Sequence, residues 1–290
     1  MLWILLALLS AFGIASADAV TKHFFSKTDA LTVMFARIVA VIPFAFILWP
    51  WIEVPDRIEW NFFFCVGILF PLDLFAFFVY LKAIKISPLS LTVPYLGLTP
   101  CFLLATGYLI LGEAPNWMSG TGVCVVTAGA LMLQIKKFPE NIYSLIRNIS
   151  REKGSLYMIG AAFIFSITSA LGKLAVSYTN PLFFAFFYIL FLAVIMGLML
   201  LLRGKSVKPL LASPKPMFLF GVFGFMEMVG HFSAIILVQA SFMIAVKRTS
   251  LLMAIIYGAI LFNEADFRKR FLAGCVMLAG VFMITFGSLD

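Results

Sequence analysis

Residues 107–132 read GYLILGEAPNWMSGTGVCVVTAGALM, and residues 258–283 read GAILFNEADFRKRFLAGCVMLAGVFM. Set side by side at a shift of 151 residues without gaps, Gly107 falls on Gly258, Glu113-Ala114 on Glu264-Ala265 and Cys124-Val125 on Cys275-Val276. Ala128-Gly129 then falls on Ala279-Gly280 and Met132 on Met283. The same shift carries Ala11-Phe12 onto Ala162-Phe163, Lys22 onto Lys173, Ser26 onto Ser177 and Thr28 onto Thr179. Two apolar helices share Leu or Ala by composition alone. A shared Lys, Glu and Gly in one register marks a duplicated unit.

The surrounding sequence says what kind of unit was duplicated. Of 290 residues, 63% are hydrophobic and 12% charged, with a mean hydropathy of +1.09. Soluble domains run at about 45–50% apolar and about 25% charged, so a water-soluble fold has no way to cover this surface. Apolar runs of about 20 residues recur along the chain, the length that crosses roughly 30 Å of hydrocarbon as a helix. The short alternating strands of a membrane barrel are absent. The expected spans are 2–21, 29–49, 61–84, 88–111, 117–135, 154–175, 181–202, 216–238, 241–262 and 269–287, separated by loops carrying Pro55, Pro88, Pro115, Pro139, Pro181, Pro209 and Pro214. The fold class is an all-α integral membrane protein of ten transmembrane helices. Its expected organisation is a five-helix repeat at 1–135, a connecting loop at 136–153 and a second repeat at 154–290.

Five helices is an odd number, so the second repeat enters the membrane from the opposite side. Inverted repeats of this kind are a known route to alternating access, with the site near the midplane between them. Ala15-Ser16-Ala17 imitates a signal-peptidase site, but no basic residues precede Leu2 and the segment has a counterpart in the second half. It is expected to stay as the first span.

The net charge of +8 does not indicate nucleic acid, because the basic residues sit in short loops. Sixteen of them (Lys22, Lys27, Lys82, Lys85, Lys136, Lys137, Arg147, Arg151, Lys153, Arg203, Lys205, Lys208, Lys215, Arg268, Lys269 and Arg270) fall on one side of the bundle. The side that shares the termini has Arg57 beside Glu53, Asp56, Glu59 and Glu113. The positive-inside rule then puts the termini outside and the central loop in the cytoplasm. In that loop Phe138, Ile142, Leu145, Ile146 and Ile149 share one helical face, which suits a basic amphipathic segment lying in the headgroup layer. Asn148-Ile149-Ser150 fits a glycosylation acceptor, a three-residue match of little weight. Cys65, Cys101, Cys124 and Cys275 lie in apolar segments without metal-ligand spacing, and are expected as buried free thiols.

A charge at membrane depth costs at least about 2.5–3.5 kcal/mol, so each one needs a reason. Asp73 follows Pro71 in the third span, with Tyr80 on the same face; Glu227 sits in the eighth span, one turn before His231. The repeat places His231 on Tyr80, and Glu227 on Ala76, one turn from Asp73. Two repeat-related helices therefore present acidic and aromatic or imidazole groups at similar depth, as a cavity lining would. A carboxylate there can carry a coupling proton; a structural pairing with a cation elsewhere in the bundle is the alternative. Glu227 and His231 are only half a metal site, and neither metal nor cofactor is expected. Arg37, Lys173, Lys247 and Arg248 are the deep cations. Arg37 and the Lys247-Arg248 pair are candidate anion contacts, or counter-ions for Asp73 and Glu227, whereas Asp18 and Lys22 have the spacing of an intrahelical pair. Pro94 and Pro100 bracket Tyr95, and prolines free backbone carbonyls, so the fourth span is expected to be broken in character, either unwound along a pathway or kinked and satisfied by packing. The 33 Phe residues are too many to form a substrate cage. Gly120, Gly122, Gly129, Gly274 and Gly280 are expected to allow close helix packing.

In sum the chain resembles the drug/metabolite transporter superfamily, in its EamA-like ten-helix branch, over essentially its whole length. The resemblance rests on Ser10-Ala11-Phe12-Gly13 with Lys22, Arg37, Thr99-Pro100, Gly112-Glu113, Ala128-Gly129, Asn263-Glu264 and Ala279-Gly280. Phe12-Gly13 in place of Trp-Gly, Leu251 where the first repeat has Pro100, and Lys247-Arg248 depart from the family pattern. The resemblance implies a basket-like bundle with a central cavity, export or uptake of metabolites such as amino acids, and cytoplasmic termini, against the charge count. The expected function is a secondary transporter in the bacterial inner membrane, with a small polar metabolite and a coupling proton as its partners besides membrane lipid. Asp73, Tyr80, Tyr95, Glu227, His231, Arg37, Lys247 and Arg248 are the expected substrate-binding residues. A lipid or lipid-linked sugar flippase of the same architecture is the alternative. A membrane-embedded enzyme would need a His/Asp/Glu cluster at one face or a nucleotide loop, and neither is present.

Overall fold

The structure, a computed structural model, describes residues 1–87, 93–132, 152–206, 213–262 and 267–288. The expected amphipathic segment and acceptor asparagine of the central loop lie outside the described residues. Eleven α-helices run through the described chain: α1 (Leu2–Phe25), α2 (Ala30–Ile47), α3 (Trp60–Ile86), α4 (Thr99–Leu111), α5 (Trp117–Met132) and α6 (Lys153–Ser177). They continue with α7 (Pro181–Leu202), α8 (Pro214–Ile235), α9 (Ala240–Lys247), α10 (Ser250–Phe262) and α11 (Phe267–Gly287). Seven segments are long and apolar enough to cross a membrane, α9 and α10 counting as one. Three shorter apolar helices, those of α4, α5 and α11, complete ten spans. Large apolar side chains such as Leu109, Leu202, Phe218 and Phe282 stay on the outside, where lipid, not water, meets them.

The duplication is visible in the helix boundaries. A shift of 151 carries Ala30, the start of α2, onto Pro181, the start of α7. The residues before them cap both helices: Asp29 accepts from the Thr32 N–H at 3.3 Å, and Asn180 from the Phe183 N–H at 2.8 Å. The same shift carries Thr99 onto Ser250 and Leu111 onto Phe262, so α4 and α10 are 13-residue helices with matching ends.

Both matching helices are the second halves of broken spans. Ahead of α4 the chain runs as a 3-10 turn over Val93–Leu98, where Pro94 and Pro100 deny the backbone its ordinary donors. The ninth span, expected as one helix over 241–262, is instead interrupted at Arg248-Thr249. No proline causes this break. The Arg248 N–H is shared between the Ile244 and Ala245 carbonyls, and the Thr249 N–H reaches back only three residues to Val246. The Thr249 hydroxyl donates to that same Val246 carbonyl at 2.8 Å, as the Thr99 hydroxyl donates to Leu96 at 2.8 Å in the other repeat. At each break a threonine hydroxyl thus bonds back to a carbonyl three residues earlier.

The described helices group into two compact units that each draw on both repeats. One unit comprises Met1–Ile58, Thr179–Leu237 and Ser250–Glu264. Here α1 packs along α8, and the approach is tight because Gly13 and Gly230 lack side chains. A Cβ on Gly13 would lie 2.5 Å from the Phe223 carbonyl oxygen, and one on Gly230 2.5 Å from that of Leu6. The other face of α8 meets α2, and Phe25 at the end of α1 is stacked on Phe220 at 5.5 Å. At the edge of this unit Lys205 pairs with Asp29 at 2.6 Å. The ammonium, together with the Thr32 N–H, holds the Asp29 carboxyl below the usual carboxylate range despite partial burial.

The second unit comprises Glu59–Tyr178, Val238–Thr249 and Ala265–Asp290. Within it α3 lies on α6, α4 on α6, and α5 on α11. Of the glycines expected at helix contacts, Gly122, Gly129 and Gly280 do sit there, each with backbone of the facing helix within 3.0 Å of where a Cβ would be. Gly120 has room, with its nearest contact at 3.9 Å. The pairing pattern is exchanged between repeats: the first span packs on the eighth, and their counterparts, the sixth and third, pack together likewise. Among the cysteines the expectation of burial holds for Cys65, whereas Cys124 and Cys275 are exposed. Their segments present that face to lipid, which accepts a thiol as readily as a methyl group. Cys101 and Cys124 bring their sulfurs within 3.9 Å.

Candidate functional site

The unit built on α1, α2, α7, α8 and α10 holds three of the residues expected at a site: Arg37, Glu227 and His231. Glu227 and His231 are half-buried on α8, one turn apart. The stretch of α8 from Phe223 to Glu227 faces two helices at once. Gly13 of α1 lies against the backbone of Phe223 and Glu227, and Gly224 lies against Val41 and the Arg37 carbonyl of α2. Arg37 extends to α1, where its Nη1 donates to Asp18 Oδ1 at 2.7 Å. Asp18, expected from spacing as a partner for Lys22, is the tertiary partner of Arg37. Two residues earlier on α1, the Ser16 and Tyr257 hydroxyls are joined at 2.8 Å, tying α1 to α10.

The unit built on α3–α6, α9 and α11 holds the other five: Asp73, Tyr80, Tyr95, Lys247 and Arg248. Asp73 is 5% exposed on α3, and Ala76 beside it is fully buried. Tyr80 is half-buried on the same face. Tyr95 sits in the 3-10 turn and hydrogen-bonds Ser155 in the first turn of α6. That turn is organised by Glu152, whose carboxylate accepts from the Ser155 N–H at 2.7 Å, the Ser155 hydroxyl at 3.0 Å and the Ser87 hydroxyl. Burial opposes the Glu152 charge, but these hydrogen bonds and one from the Gly154 N–H outweigh it and keep the carboxyl below its ordinary range. Lys247 ends α9 and Arg248 occupies the break. The Arg248 Nε is shut off from the surroundings and meets no hydrogen-bond partner among the described residues. An unpaired buried guanidinium nitrogen carries a desolvation cost that a bound anion would remove.

Two sets of polar contacts escaped the sequence reading. Glu113, just past α4, forms an ion pair with Lys173 of α6, both side chains being 14% exposed, and its second oxygen accepts the Ala240 N–H at 2.8 Å. Thr106 of α4 donates to Ser166 of α6 at 3.2 Å. Thr106 and Tyr257 are repeat equivalents, so each second half-helix is tied by a hydroxyl to the first helix of the other repeat. Glu113 and Lys173 were legible as charges kept in both copies of the repeat, a signal of a shared structural pairing. A hollow of about 380 Å³ beside Leu104, Trp117 and Cys124 contains none of the expected site residues. Among the described residues no group of three His, Cys, Asp or Glu side chains could hold a metal ion.

A multi-pass helical protein with two matched, broken spans and polar groups at both breaks has the make-up of a secondary transporter. The family model of the EamA-like transporters matches residues 1–135 and 152–286. The chain belongs to the EamA-like transporter family, as two EamA domains, and it is a transporter, not an enzyme. No curated protein matches it. Among solved structures, one described only as "Crystal structure of protein" matches with a TM-score of 0.72 at 14% identity, over 97% of this chain and 98% of that one. At that identity the likeness speaks for the fold alone.

Proposed function

We propose that the protein moves a small polar metabolite, an amino acid or an organic anion or zwitterion, across a bacterial inner membrane by alternating access. The repeats at 1–135 and 154–290, joined by 136–153, act as the two pseudosymmetric halves. The substrate-binding residues are Asp73, Tyr80, Tyr95, Lys247 and Arg248 in one compact unit and Arg37, Glu227 and His231 in the other. The observation that carries the proposal is the pair of half-helices that begin at repeat-equivalent residues, Thr99 and Ser250. Discontinuous helices in corresponding positions are where transporters present backbone and charge to substrate. Arg248, whose Nε has no hydrogen-bond partner among the described residues at one of these breaks, supplies positive charge for an anionic group. Glu227 is the carrier of the coupling proton, and Arg37 with Asp18 provides a charged pair that α2 keeps against α1.

The test is thermal stabilisation of the detergent-purified protein by a panel of amino acids, organic acids, nucleotides, amines and lipid-linked sugars. Occupancy at 100 times Kd stabilises by about 2.7 kcal/mol. The expected outcome is a shift with one anionic or zwitterionic class that disappears in Arg248→Met and Asp73→Asn. A shift confined to lipid-linked sugars would replace this proposal with a flippase.

A further inference from the structure

Helix α9 is a rod of eight residues, about 12 Å long. Its residues Ala240 to Val246 are all buried, and it packs against α4, α5 and α6. Lys247 closes its C-terminal end and Arg248 follows in the break. Beside that packing, the contact at its beginning helps set such a short rod, because a shift or tilt there reaches the other end within about two turns.

That beginning is held by Glu113. One carboxylate oxygen accepts the Ala240 N–H at 2.8 Å, and the other takes the Lys173 ammonium. Lys173 also donates to the Val238 carbonyl at 2.5 Å, and Gln239 Nε2 donates to the Ala114 carbonyl at 3.3 Å. A carboxylate against the first N–H groups of a helix meets the positive end of its dipole. Glu113 is itself placed rigidly: Gly112 ends α4 in the left-handed conformation at φ 70°, and the Glu113 N–H closes the turn on the Gly107 carbonyl at 3.3 Å. Three segments, α4, α6 and the start of α9, therefore meet on one carboxylate.

We infer that Glu113 and Lys173 are positioning residues for Lys247 and Arg248, setting where the two cations stand by fixing the N-terminus of α9. The inference rests on the proposed role of Lys247 and Arg248 in substrate binding. Neither positioning residue needs to touch substrate: Ala240 and Lys247 are separated by about 10 Å of helix. Glu113 supplies the negative charge at the helix start, and Lys173 fixes the carboxylate and the Val238 carbonyl in front of it. A neutral side chain at position 113 removes the charge from the start of α9 and leaves the Lys173–Val238 and Gln239–Ala114 hydrogen bonds and the buried faces to hold it.

The experiment reads the far end of α9 directly. All four native cysteines are replaced by alanine, and a single reporter is introduced as Val246→Cys or, for control, as Val126→Cys on α5 in the same unit. Val246 and Val126 are both fully buried. Labelling rates with N-ethylmaleimide are compared in the parent and in Glu113→Gln. The expected result is labelling at position 246 faster by about tenfold or more, the equivalent of losing one charge-assisted hydrogen bond, with position 126 unchanged. Glu113→Asp, which keeps the charge at shorter reach, gives an intermediate rate. The exchange Glu113→Lys with Lys173→Glu restores an ion pair but sets an ammonium against the Ala240 N–H, and is expected to stay fast at 246. An unchanged rate at 246, an equal rise at both reporters, or full protection in the exchanged pair would overturn the inference. Labelling needs no substrate, so its failure is distinct from a failure of the ligand panel to identify one.

Discussion

Gly280→Ala adds one methyl group where α11 crosses α5. Its carbon would stand 2.6 Å from the Val126 backbone nitrogen, 2.7 Å from Val126 Cγ2 and 2.8 Å from the Gly122 carbonyl oxygen. Two of these three atoms are backbone, so no side-chain rotation relieves the contact. Ordinary carbon contacts lie at about 3.5–4.0 Å, and the helices must part by roughly 1 Å. In a membrane the helices are held by close packing of this kind, since lipid is as apolar as the helix faces. Overpacking of a fitted contact costs about 1–3 kcal/mol, and Gly280→Ala is expected to lose that much. The control is Gly160→Ala on α6, where no atom lies within 4 Å. There alanine is expected to be neutral or to stabilise by up to about 1 kcal/mol through helix propensity. Both variants are unfolded in detergent by heat and by sodium dodecyl sulfate, followed by circular dichroism. Equal stability of the two would refute the claim that α5 and α11 are joined through a glycine contact. Gly129→Ala, the repeat counterpart facing Met277 and Ala273, should repeat the loss.

Tyr257→Phe removes the α1–α10 hydroxyl contact at 2.8 Å; a loss of about 0.6–1.7 kcal/mol is expected by the same unfolding assay, with Ser16→Ala adding little on top of it. Lys205→Met tests the pH dependence of stability. The Asp29 carboxyl is held below its unfolded value, so its contribution is present above about pH 4 and is lost as pH falls through the folded value. The variant should therefore show a flatter fall in melting temperature below about pH 4 than the parent; an unchanged acid limb would remove the pair from that role.

The repeat and the ten spans could be read from the chain because each rests on local sequence: Lys22 with Lys173, Glu113 with Glu264, and apolar runs of spanning length. The break in the fourth span could be read as well, since Pro94 and Pro100 force it chemically. The break at Arg248-Thr249 could not. Leu251 stands where Pro100 would predict it, and the work is done by a tight turn and the Thr249 hydroxyl, neither of which leaves a mark in composition. Partner choice was the other gap. Asp18 and Lys22 have helical spacing, but the Arg37 guanidinium that reaches Asp18 comes from another helix. Glu113 and Lys173 lie 60 residues apart. Helices that are apolar on every side give no periodic sign of which face meets which neighbour, so packing and pairing have to come from three dimensions.

Transport itself is tested most directly in proteoliposomes. The compound that stabilises the purified protein is offered in radiolabelled form, with and without an imposed pH gradient. The account predicts saturable uptake that the gradient drives to accumulation in the wild type, and exchange without gradient-driven accumulation in Glu227→Gln. A compound that binds and stabilises the protein yet never crosses the bilayer in either condition would contradict it.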